Sequence, residues 1–389
     1  MVTRLRQEVW ASGRCSGCGA CVAACSKGVL YWNGDQHPHL EQREKVLGLT
    51  RKTLSTCEVC EKFCELSCPR ISGQAALGAL SRTSARTSSV HRSGKPNDVI
   101  RSLLIAAHSA GLIDGVVMQD MDPWTLEPTA TIASSVDEIV AGVGMQYLWT
   151  PVLSALNEAI FERGLSNLAV VGPPCVAEGA RQLLAAHHDR LKPYREAIRL
   201  TIASFCTGVF MPQMVVELIE HGMGIGRHEI QGLTSAVAND SMTLSLWDGN
   251  QREIPLTQVE PFTRQGCARC DDYLGESADI AIGTVGASPG YSTLITRTQT
   301  GEAIVQNAVR SGLVELLDEI DEALLDAATS EKDRRARAQA FDDFHILMLE
   351  GLDDPKAQGQ IRQQFVHLYG VPKKQKLNGR QQYVGCGGC

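Results

Sequence analysis

Cys15, Cys18, Cys21 and Cys25 fall within eleven residues, "CSGCGACVAAC", at the spacing C-x2-C-x2-C-x3-C. Short thiolate side chains in a tight, glycine-containing turn converge on one iron–sulfur cubane. In runs of this spacing the fourth cysteine serves a second cluster. A second set, Cys57, Cys60, Cys64 and Cys68 in "CEVCEKFCELSCPR", has one extra residue between its second and third cysteine and ends in Cys-Pro. The first run has Ser26 where a proline would follow. A disulfide framework would need an oxidising compartment. Zinc would favour two C-x2-C pairs separated by a loop. The spacing therefore predicts two 4Fe-4S clusters.

Six further cysteines complete the chain's fourteen. Cys175 in "VVGPPCVAEGARQ" and Cys206 in "IASFCTGVF" each follow an expected strand, at the sheet edge where α/β ligand sites lie. Cys267 and Cys270 form a C-x2-C pair in "GCARC". These four suit one more cluster. Cys386 and Cys389 in the terminal "GCGGC" cannot close a tetrahedral site alone. A docking or redox-exchange role competes there with a frayed end.

These sites need a scaffold, and 389 residues suffice for two or three domains. An apolar fraction of 43%, a charged fraction of 21% and a net charge of −7 describe an ordinary globular chain with no pull towards nucleic acid or anionic membranes. The start lacks the apolar core of a secretory signal, and no stretch approaches a spanning helix. A cytoplasmic location is expected, in which thiols stay reduced or metal-bound.

Residues 1–75 are expected to form a small ferredoxin-like iron–sulfur domain, folded largely by its clusters. The Ser/Thr/Arg-rich 76–92 reads as a linker. From 93 to 345 strands and helices alternate, predicting an α/β (α+β) domain with a mixed sheet. "DVIRSLLIAAHSAGL", "PVLSALNEAIFERG", "EGARQLLAAHHD" and "GEAIVQNAVRSG" read as helices. "DGVVMQD", "NLAVVGPP", "RLTIASFC" and "ADIAIGTVG" read as strands, and 228–260 as a hairpin. The acidic stretch from "LVELLDEID" to "MLEGL" reads as helical throughout, and 346–389 as a tail. "GMGIG" at 222–226 follows a helix and lacks a third glycine in place, so it is not a dinucleotide fingerprint. His187 and His188, near a helix end, read as surface residues.

Four stretches, "GLIDGVVM", "VGPPCVAEGARQL", "FCTGVF" and "GCARCDDYLGESADIAIGTVGASPGYSTLITRTQTG", in this order, resemble the beta subunits of coenzyme F420-reducing hydrogenase and their relatives. The likeness covers roughly 93–315. It implies an FAD in this domain with a third 4Fe-4S cluster beside it, held by Cys175, Cys206, Cys267 and Cys270. Candidate flavin contacts are Ser93, Gly94, Lys95, Asn97, Gly172, Pro174, Gly283, Thr284 and Gly286, with a solvated side chain the competing reading for Lys95, and Tyr147 and Thr150, for which core packing competes. Relatives carry a Ser-Gly-Gly turn where this chain has "SGKPND", and often Gly-Asp where it has Gly283-Thr284.

The expected activity is therefore that of an iron–sulfur flavoprotein in an oxidoreductase hetero-oligomer. It would exchange hydride with a soluble carrier, F420 or nicotinamide-like, and relay single electrons to a hydrogenase or formate dehydrogenase subunit. Two other readings compete: a ferredoxin-dependent reductase of an organic substrate, and a non-catalytic iron–sulfur scaffold.

Overall fold

A computed structural model describes the chain except residues 1–3, 41–59, 74, 89–93, 123, 143–146, 237–240, 351–355, 357–358, 361–362, 364–371, 378–379 and 387–389. Cys57, Ser93 and Cys389 lie outside the described residues.

The amino-terminal cysteine segment holds little regular structure. A helical segment Leu5–Trp10, single helical turns at Ala20–Ala23 and Phe63–Leu66, and two short strands, β1 (Leu30–Tyr31) and β2 (His39–Leu40), make up its described part.

An eight-stranded mixed sheet dominates the rest. Its strands are β3 (Ser81–Thr87), β4 (Gly115–Met121), β5 (Pro128–Ala133), β6 (Leu168–Gly172), β7 (Ile198–Ser204), β11 (Ile280–Gly283), β12 (Ser292–Thr296) and β13 (Val314–Leu317). A separate antiparallel sheet intervenes in the chain: β8 (Ile230–Ala236), β9 (Ser241–Leu246) and β10 (Gln251–Pro255). The large sheet is ordered β13-β3-β12-β11-β7-β6-β4-β5. Its middle, β11-β7-β6-β4, is parallel, and the flanking pairs are antiparallel.

Helices cover both faces, as a parallel sheet centre requires. Helix α1 (Pro96–Ser109) starts with proline at its first turn, where the missing N–H costs nothing. It buries Val99, Ile100, Leu103, Leu104 and Ala107 along one stripe. With α4 (Gln299–Arg310) it closes one face. Helix α2 (Val136–Gly142) adds Ile139 to that core. Helix α3 (Pro174–Ala185) covers the other face with the helical turns of 152–162. A long helix, α5 (Glu322–Glu350), follows β13, and a hairpin of β14 (Pro372–Leu377) and β15 (Arg380–Cys386) lies beyond it.

Three expectations change. The supposed linker contains β3, which pairs with β12 on one side and β13 on the other. Its polar residues are at home there: the Ser84 hydroxyl donates to the Glu319 carbonyl at 2.6 Å, Ser81 pairs with Thr296 at 2.7 Å, and Ser84 and Ala85 are wholly buried. "LVELL" is an edge strand rather than the start of a helix. Finally, the amino-terminal segment is no separate body. Cys18, Ala20, Ala23 and Phe63 join one hydrophobic core with Leu153, Val176, Ala180 and Leu183 of the α/β unit.

Candidate functional site

The carboxyl ends of the parallel strands carry the chemistry. A cleft opens there between β4, with Met118 and Gln119, the end of β6, with Val171 and Gly172, and residues 204–209 after β7. Asn97 and Ile100 of α1 and Tyr147 complete its wall. The Asn97 side-chain carbonyl is buried with no hydrogen-bond partner, although it stands at this cleft. A buried, unsatisfied acceptor calls for a donor from a bound molecule.

Cys206 of this wall neighbours Cys175, Cys267 and Cys270. Cys175 sits in the first turn of α3, Cys206 two residues past β7, and Cys267 in a helical turn at Gln265–Ala268. Burial pushes the Cys175 thiol far up, and the nearby Cys206, Cys267 and Cys270 push it further. Burial likewise moves Cys206 up to about 12, opposed by Lys332. Burial also raises Cys267, and Cys270 is buried beside them; thiols whose free thiolates are disfavoured suit a metal group that neutralises them. Among the described residues, no three His, Cys, Asp or Glu side chains surround a point that one ion could fill. A cubane places eight atoms among its ligands and needs them spread wider.

A second cavity is lined by Cys15, Cys18, Cys21 and Cys68, beneath Leu5, Val9 and Trp10. These are the first three cysteines of one run and the last of the other. Burial drives Cys21 far up, with Cys15, Cys68, Cys18 and Cys64 adding to it, and moves Cys18 up to about 11. Cys25 and Cys64 share the surrounding apolar cluster, and Lys62 N–H donates to the Cys60 sulfur at 3.3 Å.

The two cysteine groups adjoin each other. Cys18 is among the charges felt by Cys175, and a Cβ on Gly179 of α3 would stand 2.9 Å from the Cys18 sulfur. Three buried cations frame them. Arg70 pairs with Glu178 and approaches the Cys270 sulfur at 4.0 Å. Arg264 is wholly buried, 4.0 Å above the Trp149 ring, and donates to the carbonyls of Gln36 at 2.6 Å and Cys15 at 3.4 Å. Lys332 of α5 donates to the carbonyls of Cys206 and Asp272. Sequence reading missed all three, because a lone basic residue looks the same whether solvated or buried.

Two family models match: the coenzyme F420 hydrogenase/dehydrogenase beta subunit N-terminal part at residues 85–157 and its C-terminal part at 165–322. The chain belongs to the coenzyme F420 hydrogenase/dehydrogenase beta subunit family. This is a family of oxidoreductases. An uncharacterized protein of Methanocaldococcus jannaschii is 34% identical over 86% of this chain and 97% of its own length. The coenzyme F420 hydrogenase subunit beta of Methanothermobacter thermautotrophicus is 26% identical over 58% of this chain and 79% of its own. The coenzyme F420-dependent sulfite reductase of M. jannaschii is 28% identical, with the match spanning 87% of this chain but 53% of that longer protein. A chain of the F420-reducing NiFe hydrogenase complex from Methanosarcina barkeri superposes with a TM-score of 0.62 at 23% identity, covering 69% of this chain and 93% of that one, which shows a shared fold.

Of the candidate flavin contacts, Asn97, Tyr147 and Gly172 line the cleft. Others serve elsewhere. Gly283 admits the Phe205 ring, whose Cδ2 would lie 2.0 Å from an added Cβ. Gly94 touches the backbone of Gly290, and Gly286, at φ +86°, touches Leu325. Pro174 starts α3 and is buried, while Lys95 and Thr284 are exposed. Thr150 is buried between Trp149 and Pro151, which meet the first cysteine loop. The wall residues Phe205 and Gly208 were missed individually, although "FCTGVF" contains both. Among the described residues no helix is long and apolar enough to cross a membrane.

Proposed function

We propose that this chain is an iron–sulfur flavoprotein, the electron-transfer subunit of an oxidoreductase complex that communicates with coenzyme F420 or a related soluble hydride carrier. One observation carries the reading: Cys206 belongs to the cleft wall and to the quartet with Cys175, Cys267 and Cys270 at the same time. An organic redox group in the cleft and a cluster on the quartet would thus share one residue as a border.

The cleft residues fit FAD. Asn97 offers an unsatisfied acceptor, Gly172 and Gly208 expose backbone at the wall, and Phe205 and Tyr147 add aromatic surface. A flavin held there supplies the exchange between two-electron hydride chemistry and single electrons. Cys175, Cys206, Cys267 and Cys270 would hold one 4Fe-4S cluster, and Cys15, Cys18, Cys21 and Cys68 a second. Cys25, Cys57, Cys60 and Cys64 would hold a third, following the crossed pattern of such paired runs. Contact between Cys18 and α3 keeps the first two sets adjacent, so water is excluded along the line they form. The partner is a catalytic subunit of the hydrogenase or formate dehydrogenase kind.

Anaerobic purification followed by counts of iron, sulfide and flavin tests this. Twelve irons and one FAD per chain are expected, with reoxidation of the reduced protein by F420. Absence of flavin, or of iron beyond the two amino-terminal clusters, overturns the reading.

A further inference from the structure

The family model ends at residue 322, where α5 begins. Ten residues into this helix, Lys332 turns inward and is only 3% exposed. Its ammonium donates to the Cys206 carbonyl and, at 2.7 Å, to the Asp272 carbonyl. The first lies in the loop that borders the cleft, and the second closes the loop of Cys267 and Cys270. A second contact from the same helix fixes the approach. Asp343 forms an ion pair with Arg269, Nε to Oδ2 at 2.6 Å, with 16% and 19% of the side chains exposed. Arg269 lies between Cys267 and Cys270, so the helix grips that loop at two points three turns apart.

Burying an ammonium is costly unless something answers its charge. Among the described residues no carboxylate lies within ion-pair distance of Lys332. The Asp272 carboxylate is instead occupied by the N–H groups of Gly275 at 2.7 Å and Glu276 at 3.1 Å. The other two buried cations have partners of their own: Glu178 for Arg70, and Trp149 with two backbone carbonyls for Arg264. What faces Lys332 without a counter-ion is the quartet. Its contact with the Cys206 carbonyl sets the ammonium against that quartet from the α5 side.

We infer that Lys332 is the positioning residue that sets the reduction potential of the cluster on Cys175, Cys206, Cys267 and Cys270. The inference rests on the proposed ligation of that quartet. A cluster with four thiolate ligands is negative and gains one more negative charge on reduction. A fixed cation a few ångströms away therefore favours the reduced form, and net charge and hydrogen bonding are the levers by which proteins set such potentials. A raised potential would make this cluster the place where an electron arriving from the cleft rests.

The test is an EPR-monitored redox titration of the holoprotein with Lys332→Gln, which keeps a hydrogen-bond donor and removes the charge, and Lys332→Arg, which keeps both. In Lys332→Gln one cluster out of three should lose at least tenfold in affinity for its electron, a fall of about 59 mV for a one-electron couple. Lys332→Arg should stay near the wild-type value. Loss of iron from Lys332→Gln alone, with a wild-type midpoint in Lys332→Arg, supports the same conclusion. An unmoved midpoint at full iron content overturns it, as does an equal movement of all clusters or loss of iron in both variants, which would mark a packing role. If the wild-type protein shows no third cluster, the ligation itself fails, and that result is distinct from an unmoved midpoint.

Discussion

Arg70 and Glu178 form an ion pair across the seam between the amino-terminal cysteine segment and α3, Nη2 to Oε2 at 3.1 Å, with 17% and 18% of the side chains exposed. Arg70 follows Cys68 by two residues, and Glu178 follows Cys175 by three, so the pair joins two proposed ligand loops. Burial pushes the Glu178 carboxyl up and Arg70 is the main force holding it down. Removing one partner of such a pair leaves the other charge buried. Arg70→Ala should cost about 3 kcal/mol in thermal or denaturant unfolding. The double variant Arg70→Met/Glu178→Leu should cost less than the two single changes together.

The crossed cysteine set gives a cleaner test of ligation. Cys15, Cys18, Cys21 and Cys68 line one cavity, which excludes Cys25. Cys68→Ala should therefore abolish the cluster on the first run, and Cys25→Ala the cluster on the second. Iron counts and EPR signals of the two variants should each fall by one cluster, with different signals lost.

Gly283 leaves no room for a methyl group, since its Cβ would sit 2.0 Å from Phe205 Cδ2. Gly283→Ala should displace the Phe205 ring from the cleft wall at a cost of about 1–3 kcal/mol. FAD retention after gel filtration should drop with it. Retention unchanged at lowered stability would place the aromatic contact outside the binding surface.

Asn97→Ala removes the orphaned acceptor at the cleft. The expected result is weaker FAD binding by about tenfold, from the loss of one hydrogen bond of about 1–1.5 kcal/mol. Unfolding stability should stay within about 0.5 kcal/mol of wild type, because nothing in the protein depends on that oxygen.

Asp114 ties the turn before β6. It accepts from the Ser166 and Asn167 N–H groups, each at 2.9 Å, and from the Ser166 hydroxyl at 3.1 Å. Burial works upward on its carboxyl, but these donors outweigh it and hold it below the ordinary value. A carboxyl lowered by folding stabilises the fold above its unfolded pKa of about 3.9. That contribution is lost as the pH falls through the folded value. Asp114→Ala should therefore cost about 1–2 kcal/mol at pH 7, and the gap to wild type should close below about pH 4.

Residues with one strong chemical or geometric preference were legible in the sequence. The strands β6 and β11 announced themselves by unbroken apolar stretches. Helix α1 was legible through its stripe from Val99 to Ala107. The strand β3 was not, because in "SRTSART" Ser81 pairs with Thr296 of β12 and Ser84 with the Glu319 carbonyl, partners that only the tertiary pairing supplies. Gly283 and Gly286 stood out as glycines; in the structure the first makes room for Phe205 and the second for Leu325. A glycine reports that something comes close without saying what. Arg264 was hidden for a related reason: its partners, Trp149, Gln36 and Cys15, are more than a hundred residues away in the chain.

Three glycines determine how the front of this protein relates to its body. An added Cβ on Gly17 would meet the Trp149 indole nitrogen at 2.2 Å, one on Gly19 the Pro151 carbonyl at 2.7 Å, and one on Gly266 the Cys15 carbonyl at 2.2 Å. The Trp149 N–H closes the seam by donating to the Gly17 carbonyl at 3.0 Å. Small iron–sulfur pieces are often treated as plug-in units that can be exchanged between electron carriers. The cysteine-rich segment here is fitted like a mortise to its own tenon. A graft with ordinary side chains in place of Gly17 and Gly19, or a body with one in place of Gly266, would hold the two apart and, with the proposed clusters in place, lengthen the gap an electron has to cross.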